Sequence, residues 1–118
     1  MANENTIHRV AFANFVPTTA ATYNSEVKIP KGTLLKSITS VEGTALAGGT
    51  NVTIKVGSQS ITAALALAAF TGNDVHALTT EDGLVVTATG DLSITTTGTF
   101  TAGDVDIYIE YYFAPEHT

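Results

Sequence analysis

Cysteine and tryptophan are both missing from this chain. Without cysteine there is no disulfide framework, no thiolate metal site and no cysteine nucleophile. Positive charge is scarce: five Lys and Arg stand against eleven Asp and Glu, for a formal net charge of -6. Phosphate recognition needs a clustered basic footprint, so nucleic acid is not expected as a partner. Long apolar runs are missing too. The longest, AALALAAF at 63–70, has eight residues, far short of the ~20 that span a bilayer. The opening MANENTIHRV carries neither a basic n-region nor an apolar h-region, so synthesis in a cytoplasm is expected and no membrane partner.

Charge of either sign is low. Charged residues make up 14% of the chain, against about 25% in ordinary domains. Hydrophobic residues reach 44% and mean hydropathy is +0.23. Such a chain has little charge to coat its surface, and part of that surface is expected to lie dry against another copy of itself. At 118 residues the chain makes one domain with one core.

What is abundant is threonine, at 21 positions, a β-branched residue that fits a pleated surface. Turn signals at short intervals divide the chain into brief strand-like runs, which predicts an all-β sandwich of jelly-roll type with seven to nine antiparallel strands. Residues 1–6 read as a flexible arm, 7–114 as the sandwich and 115–118 as a tail. The first strand is predicted around Ile7 to Phe15, and the next at Ser25 to Ile29 with Val27 and Ile29 inward. Pro30 and Gly32 suit a type I turn, at which the chain reverses or changes sheet. Leu34 to Leu46 follows, with an irregularity near Glu42-Gly43. Gly48-Gly49 predicts a hairpin into NVTIKV, whose Val52, Ile54 and Val56 point inward. AALALAAF reads as a short helical or irregular crossover that Thr62 could cap. The remainder reads as a meander with strands at 74–79, 84–89 and 92–97. Turns are expected at Glu81-Asp82-Gly83, at Gly90-Asp91, and at Ala102-Gly103-Asp104 before a final strand.

No reactive constellation emerges. His8, His76 and His117 lie at no metal-ligand spacing and read as surface histidines. Glu81-Asp82 and Asp104-x-Asp106 read as turn chemistry rather than calcium ligands. GTALAGGT mimics a phosphate loop but has Gly49 where the lysine must stand, in a strand-turn-strand context. No GxSxG is present, and the Asn51-Val52-Thr53 sequon lies inside a predicted strand. No cofactor and no enzymatic activity are expected. A pocket holding His8 or His76 beside a carboxylate would argue the other way.

The last segment, DVDIYIEYYF, is where the sequence is most informative. Val105, Ile107, Ile109, Tyr111 and Phe113 form one stripe of an extended strand and suit a core. Asp106, Tyr108, Glu110 and Tyr112 form the other. Tyrosines bury much area with few rotors and keep a polar handle, so Tyr108, Glu110 and Tyr112 are the candidate interface residues.

VKIPKGTLLKSI, the Gly-Gly turn into NVTIKVG, and TAGDVDIYIEYY together resemble a group of small structural proteins of tailed bacteriophages, the capsid decoration or head-fibre type. The resemblance runs from about Glu26 to Phe113. It implies a β-sandwich or jelly-roll subunit, trimeric, that resides in the virion on the outside of the shell, binds the major capsid protein and stabilises the expanded state. A tail or fibre-base role in the same particle is the near alternative. A carbohydrate-binding sandwich is the alternative from another class, since Tyr108 and Tyr112 would stand about 13 Å apart on one strand face at ~3.3 Å per residue.

Overall fold

The structure, a computed structural model, describes residues 7–70, 72–80 and 83–113. Among the described residues there are ten strands: β1 (Ile7–Phe15), β2 (Thr22–Ile29), β3 (Leu34–Gly48), β4 (Asn51–Val56), β5 (Gln59–Ser60), β6 (Leu65–Ala66), β7 (Asn73–His76), β8 (Leu84–Val85), β9 (Gly90–Thr95) and β10 (Phe100–Phe113). They form two antiparallel sheets, in the orders β1-β10-β3-β7 and β2-β9-β4-β5, with β8 on β3 and β6 on β4. This is the strand order of a jelly roll, with β5/β6 and β7/β8 each filling one strand position. The ten strands exceed the expected seven to nine because those two positions are each split. The expected arm at 1–6 and the tail at 115–118, together with residue 114, lie outside the described residues.

Two strands set the length of the molecule. β3 and β10, with 15 and 14 residues, lie side by side, and a 15-residue strand spans ~50 Å. The long axis is 51 Å. Between the sheets sits the core, in which Leu35, Ile38, Ile54, Ile61, Leu92, Ile94, Phe100, Ile107 and Ile109 have no exposed surface. β4 alternates buried and open positions, as a strand with one wet face must, whereas β9 buries Leu92, Ser93 and Ile94 in a row.

The jelly-roll order explains where local reading fails. The Gly48-Gly49 corner does not close a hairpin: β3 belongs to one sheet and β4 to the other. Both glycines have positive φ, and a Cβ on Gly48 would stand 2.5 Å from the Thr99 carbonyl oxygen. The corner is therefore tight as well as left-handed. The predicted meander is also replaced. β7 and β8 both pair along β3, and β9 pairs with β2 and β4 in the opposite sheet. Gly90 opens β9 rather than a turn, and Glu81 and Asp82 lie outside the described residues. The Pro30 turn comes one residue later than expected. Thr33 N–H donates to the Pro30 carbonyl, with Gly32 at φ +87°, and the chain changes sheet there.

Other local expectations hold only in part. Gly43 is the extra residue of a bulge between the Val105↔Glu42 and Asp104↔Thr44 pairs, and the Glu42 carboxylate accepts from Leu46 N–H at 3.1 Å. The crossover at 63–70 is β6 followed by one 3-10 turn at Leu67–Ala69. Thr62 does not cap it, since its hydroxyl accepts from Ile54 N–H. Ala102 to Asp104 is no turn either. β10 runs unbroken from Phe100, and Gly103 sits at a register shift against Leu46.

Candidate functional site

The first and last strands lie side by side, so the outward stripe of β10 meets that of β1. The register pairs His8 with Tyr112, Val10 with Glu110, Phe12 with Tyr108 and Asn14 with Asp106, without a shift. On its other side β10 pairs Tyr108 with Thr39, and Thr39 pairs with Val75. A rung of side chains thus crosses the whole sheet: Phe12, Tyr108, Thr39, Val75. The exposures of Phe12 (48%), Tyr108 (38%), Val75 (78%) and neighbouring Val10 (56%) make this an open apolar patch on a domain whose core is elsewhere.

All three residues singled out from the sequence, Tyr108, Glu110 and Tyr112, are on this face. The Tyr108 ring packs on Phe12 with centroids 5.0 Å apart, and Tyr112 packs on His8 at 4.9 Å, distances at which aromatic pairs attract. Glu110 ties three strands together on this face. One carboxylate oxygen lies 2.7 Å from His8 Nε2, and the other accepts from Ser37 Oγ at 3.2 Å. Further along, the Asn14 amide donates to Asp104 at 2.9 Å and to Asp106 at 2.6 Å. These aspartates are strand residues tied to a neighbouring strand, which replaces the turn role expected of them. The opposite stripe meets its expectation as far as Tyr111, while Phe113, at the strand end, is only partly buried and lies outside the core. Val105, Ile107 and Ile109 are buried and Tyr111 packs against the core edge.

Val10, Phe12 and Val75 were not legible as part of the face. In IHRVAFANF the larger apolar side chains point out, while Ala11 and Ala13 point in, 8% and 2% exposed. Hydrophobicity alone would place them the other way. Ala11 sits beside Ile109 and Ala13 beside Ile107, and those isoleucines already fill the space between the sheets. The only sequence signal is the alternation of small and large residues, and it has no sign until the partner strand is known.

A second polar group lies inside the sandwich. His76 is buried, contrary to the surface position expected, and its Nε2 is 2.8 Å from Ser40 Oγ, with the Phe70 ring 4.4 Å away. Burial pushes the imidazole below its ordinary value, and the charge of Asp74 pulls it partly back. A groove of about 300 Å³ adjoins it, lined by Lys36, Ser37, Val75, His76, Ala77 and Leu78 among others. Ser40 has no accessible surface, so its hydroxyl cannot reach a substrate and the pair serves to satisfy two buried polar groups. His8 has its carboxylate partner on an open face. His117 lies outside the described residues, and among those described no three His, Asp or Glu gather as a metal site. No described helix is long and apolar enough to cross a membrane.

No family model, curated protein or solved structure matches the chain.

Proposed function

We propose that this protein is a non-enzymatic structural component of a tailed-bacteriophage virion, a capsid decoration or head-fibre subunit that self-associates and seats on the outside of the shell. The observation that carries the reading is the apolar rung Phe12, Tyr108, Thr39 and Val75 on the outer face of the β1-β10-β3-β7 sheet. A continuous apolar patch rimmed by polar groups marks a contact surface, here with Glu110 and Asp106 at the rim. The low charge of the chain and the resemblance of its turn and strand segments to phage decoration proteins support the same reading. Jelly rolls recur in viral capsid and lectin domains, which is support by analogy of fold only.

The work of such a subunit is mechanical. A subunit that binds the expanded shell and not its precursor stabilises the expanded state by mass action, and many copies on one shell act together. The major capsid protein is the partner, and the Tyr108–Tyr112 face is the surface offered to it.

The test is attachment. Purified protein is mixed with undecorated expanded capsids, and co-sedimentation is compared between wild type and Tyr108→Ala with Tyr112→Ala. Wild type is expected to pellet with the shell, and the folded double variant to remain in solution. Equal attachment by both removes the face from the proposal, and absence of the protein from purified particles ends it.

A second reading draws on the same face. Tyr108 and Tyr112 flank a carboxylate on one strand, as in platforms that stack sugar rings and bind hydroxyls. Against it, each ring already packs against a neighbour, Phe12 or His8. Glycan binding lost in Tyr112→Ala, with no attachment to capsids by wild type, would favour this reading.

A further inference from the structure

Each sheet has two edges, and three of the four are blunted. β7 has four residues and β8, β5 and β6 have two each, too short to template a partner. β2 is long but broken. Residues 25–27 bulge opposite Leu92, Glu26 takes φ +64°, and Lys28 is exposed on the edge and tied to Asp91. Bulges, charge and brevity are the usual means of keeping an edge from pairing. β1 is neither bulged nor short, and its charged residue, Arg9, lies near its start. Its nine residues pair with β10 without a register shift, residues 10–15 read VAFANF with no charge, proline or glycine, and among the described residues no strand lies on its outer side.

We infer that the open edge of β1 pairs antiparallel with the same edge of a second copy across a two-fold axis, joining two sheets into one. This deepens the self-association in the proposed function by naming its contact. A second copy is the occupant because the strand is complementary to itself. Centred on Ala11, the pairing places Val10 opposite Phe12 of the other copy, and His8 opposite Asn14. Positions of equal parity face each other, so outward side chains stay outward. Val10 and Phe12, 56% and 48% exposed, then cover each other, at the ~5 Å spacing of directly opposed residues. Charge agrees: the end bearing His8 and Arg9 meets the end where Asn14 holds Asp104 and Asp106. The pairing also carries the Phe12–Tyr108 rung across the axis, so the dimer presents two copies of the face side by side.

A nine-residue edge is small beside the ~1,600 Å² of a standard interface, so the dimer is expected to form with rising concentration. Sedimentation equilibrium of the full chain should move from 12.2 kDa toward twice that mass across the micromolar range. Val10→Lys, at an exposed position, is expected to keep the fold and weaken dimerisation by roughly tenfold or more, whereas Val85→Lys, exposed on β8 at the far side of the same sheet, leaves it within about twofold. The chain has no cysteine, so register can be read directly. A mixture of Val10→Cys and Phe12→Cys chains should give a crossed disulfide in excess of either self-linked product. A chain that stays monomeric at high micromolar concentration, a trimer mass, or a dimer indifferent to Val10→Lys with no crossed excess overturns the inference. Dimers that fail to attach to capsids would leave the edge pairing standing and remove the virion role. Attachment by a monomer does the reverse.

Discussion

His8 Nε2 lies 2.7 Å from Glu110 Oε2, and the same imidazole packs 4.9 Å from the Tyr112 ring. The second strand position of the described chain therefore orients two of the residues near its other end. Both partners are about half exposed, and an exposed ion pair contributes at most about 1 kcal/mol. His8→Ala is accordingly expected to lower stability by less than about 1 kcal/mol in urea unfolding while reducing capsid attachment. A larger stability loss would show that this contact holds the fold rather than the face.

Phe12 and Tyr108 are neighbours on adjacent strands with ring centroids 5.0 Å apart, so their effects should be coupled. Phe12→Ala is expected to impair attachment about as much as Tyr108→Ala. The double variant should be little worse than either, since residues in contact lose a shared interaction only once. Additive losses in a binding titration would mean that the two rings contact the partner independently.

The corner glycines separate two costs. At Gly32 a Cβ would meet nothing within 4 Å, so Gly32→Ala carries only the left-handed φ, about 1–2 kcal/mol. At Gly48 the same φ is joined by a contact of 2.5 Å with the Thr99 carbonyl oxygen. Gly48→Ala should therefore destabilise by clearly more, about 3 kcal/mol or above. Equal midpoints for the two variants in denaturant would contradict the sheet-switching corner.

His76 makes stability depend on pH. Its folded value is held below the ordinary 6.5 by burial, Asp74 on the same strand opposing. Ser40 from β3 and the Phe70 ring contact it, and Lys36 lines the same groove. The unfolded chain then binds more protons than the folded one as pH falls through about 6.5, so stability drops in that window and levels off below the folded value. Urea midpoints at about pH 7.5 and about pH 5, where carboxylates stay ionised, should differ in wild type and converge in His76→Gln.

Much of the fold can be read from local pattern because strand alternation is a local property. Local pattern alone bounds β1 at Ile7–Phe15 and turns Val52, Ile54 and Val56 inward, and the bulge at Gly43 follows from a glycine within a strand run. Gly48-Gly49 marks a true corner whose partners local pattern does not reveal, and Gly90, which reads as a turn, opens a strand instead. A tight turn shows that the chain bends. Whether the next strand joins the same sheet depends on hydrogen bonds to distant strands, as when β9 pairs with β2 and β4.

The candidate site divides in the same way. Residues 104–113 by themselves determine one apolar stripe and one stripe bearing Tyr108, Glu110 and Tyr112, because successive side chains of a strand point to opposite faces. Only the tertiary structure decided that Val10 and Phe12 join that outer stripe and that His76 lies inside. Large isoleucines on β10 occupy the space beside Ala11 and Ala13, and long-range packing chooses which face of β1 is wet. The unblunted edge of β1 is likewise a fact of sheet order. Its nine residues look like any half-buried strand until β10 is found on one side of them and no described strand on the other.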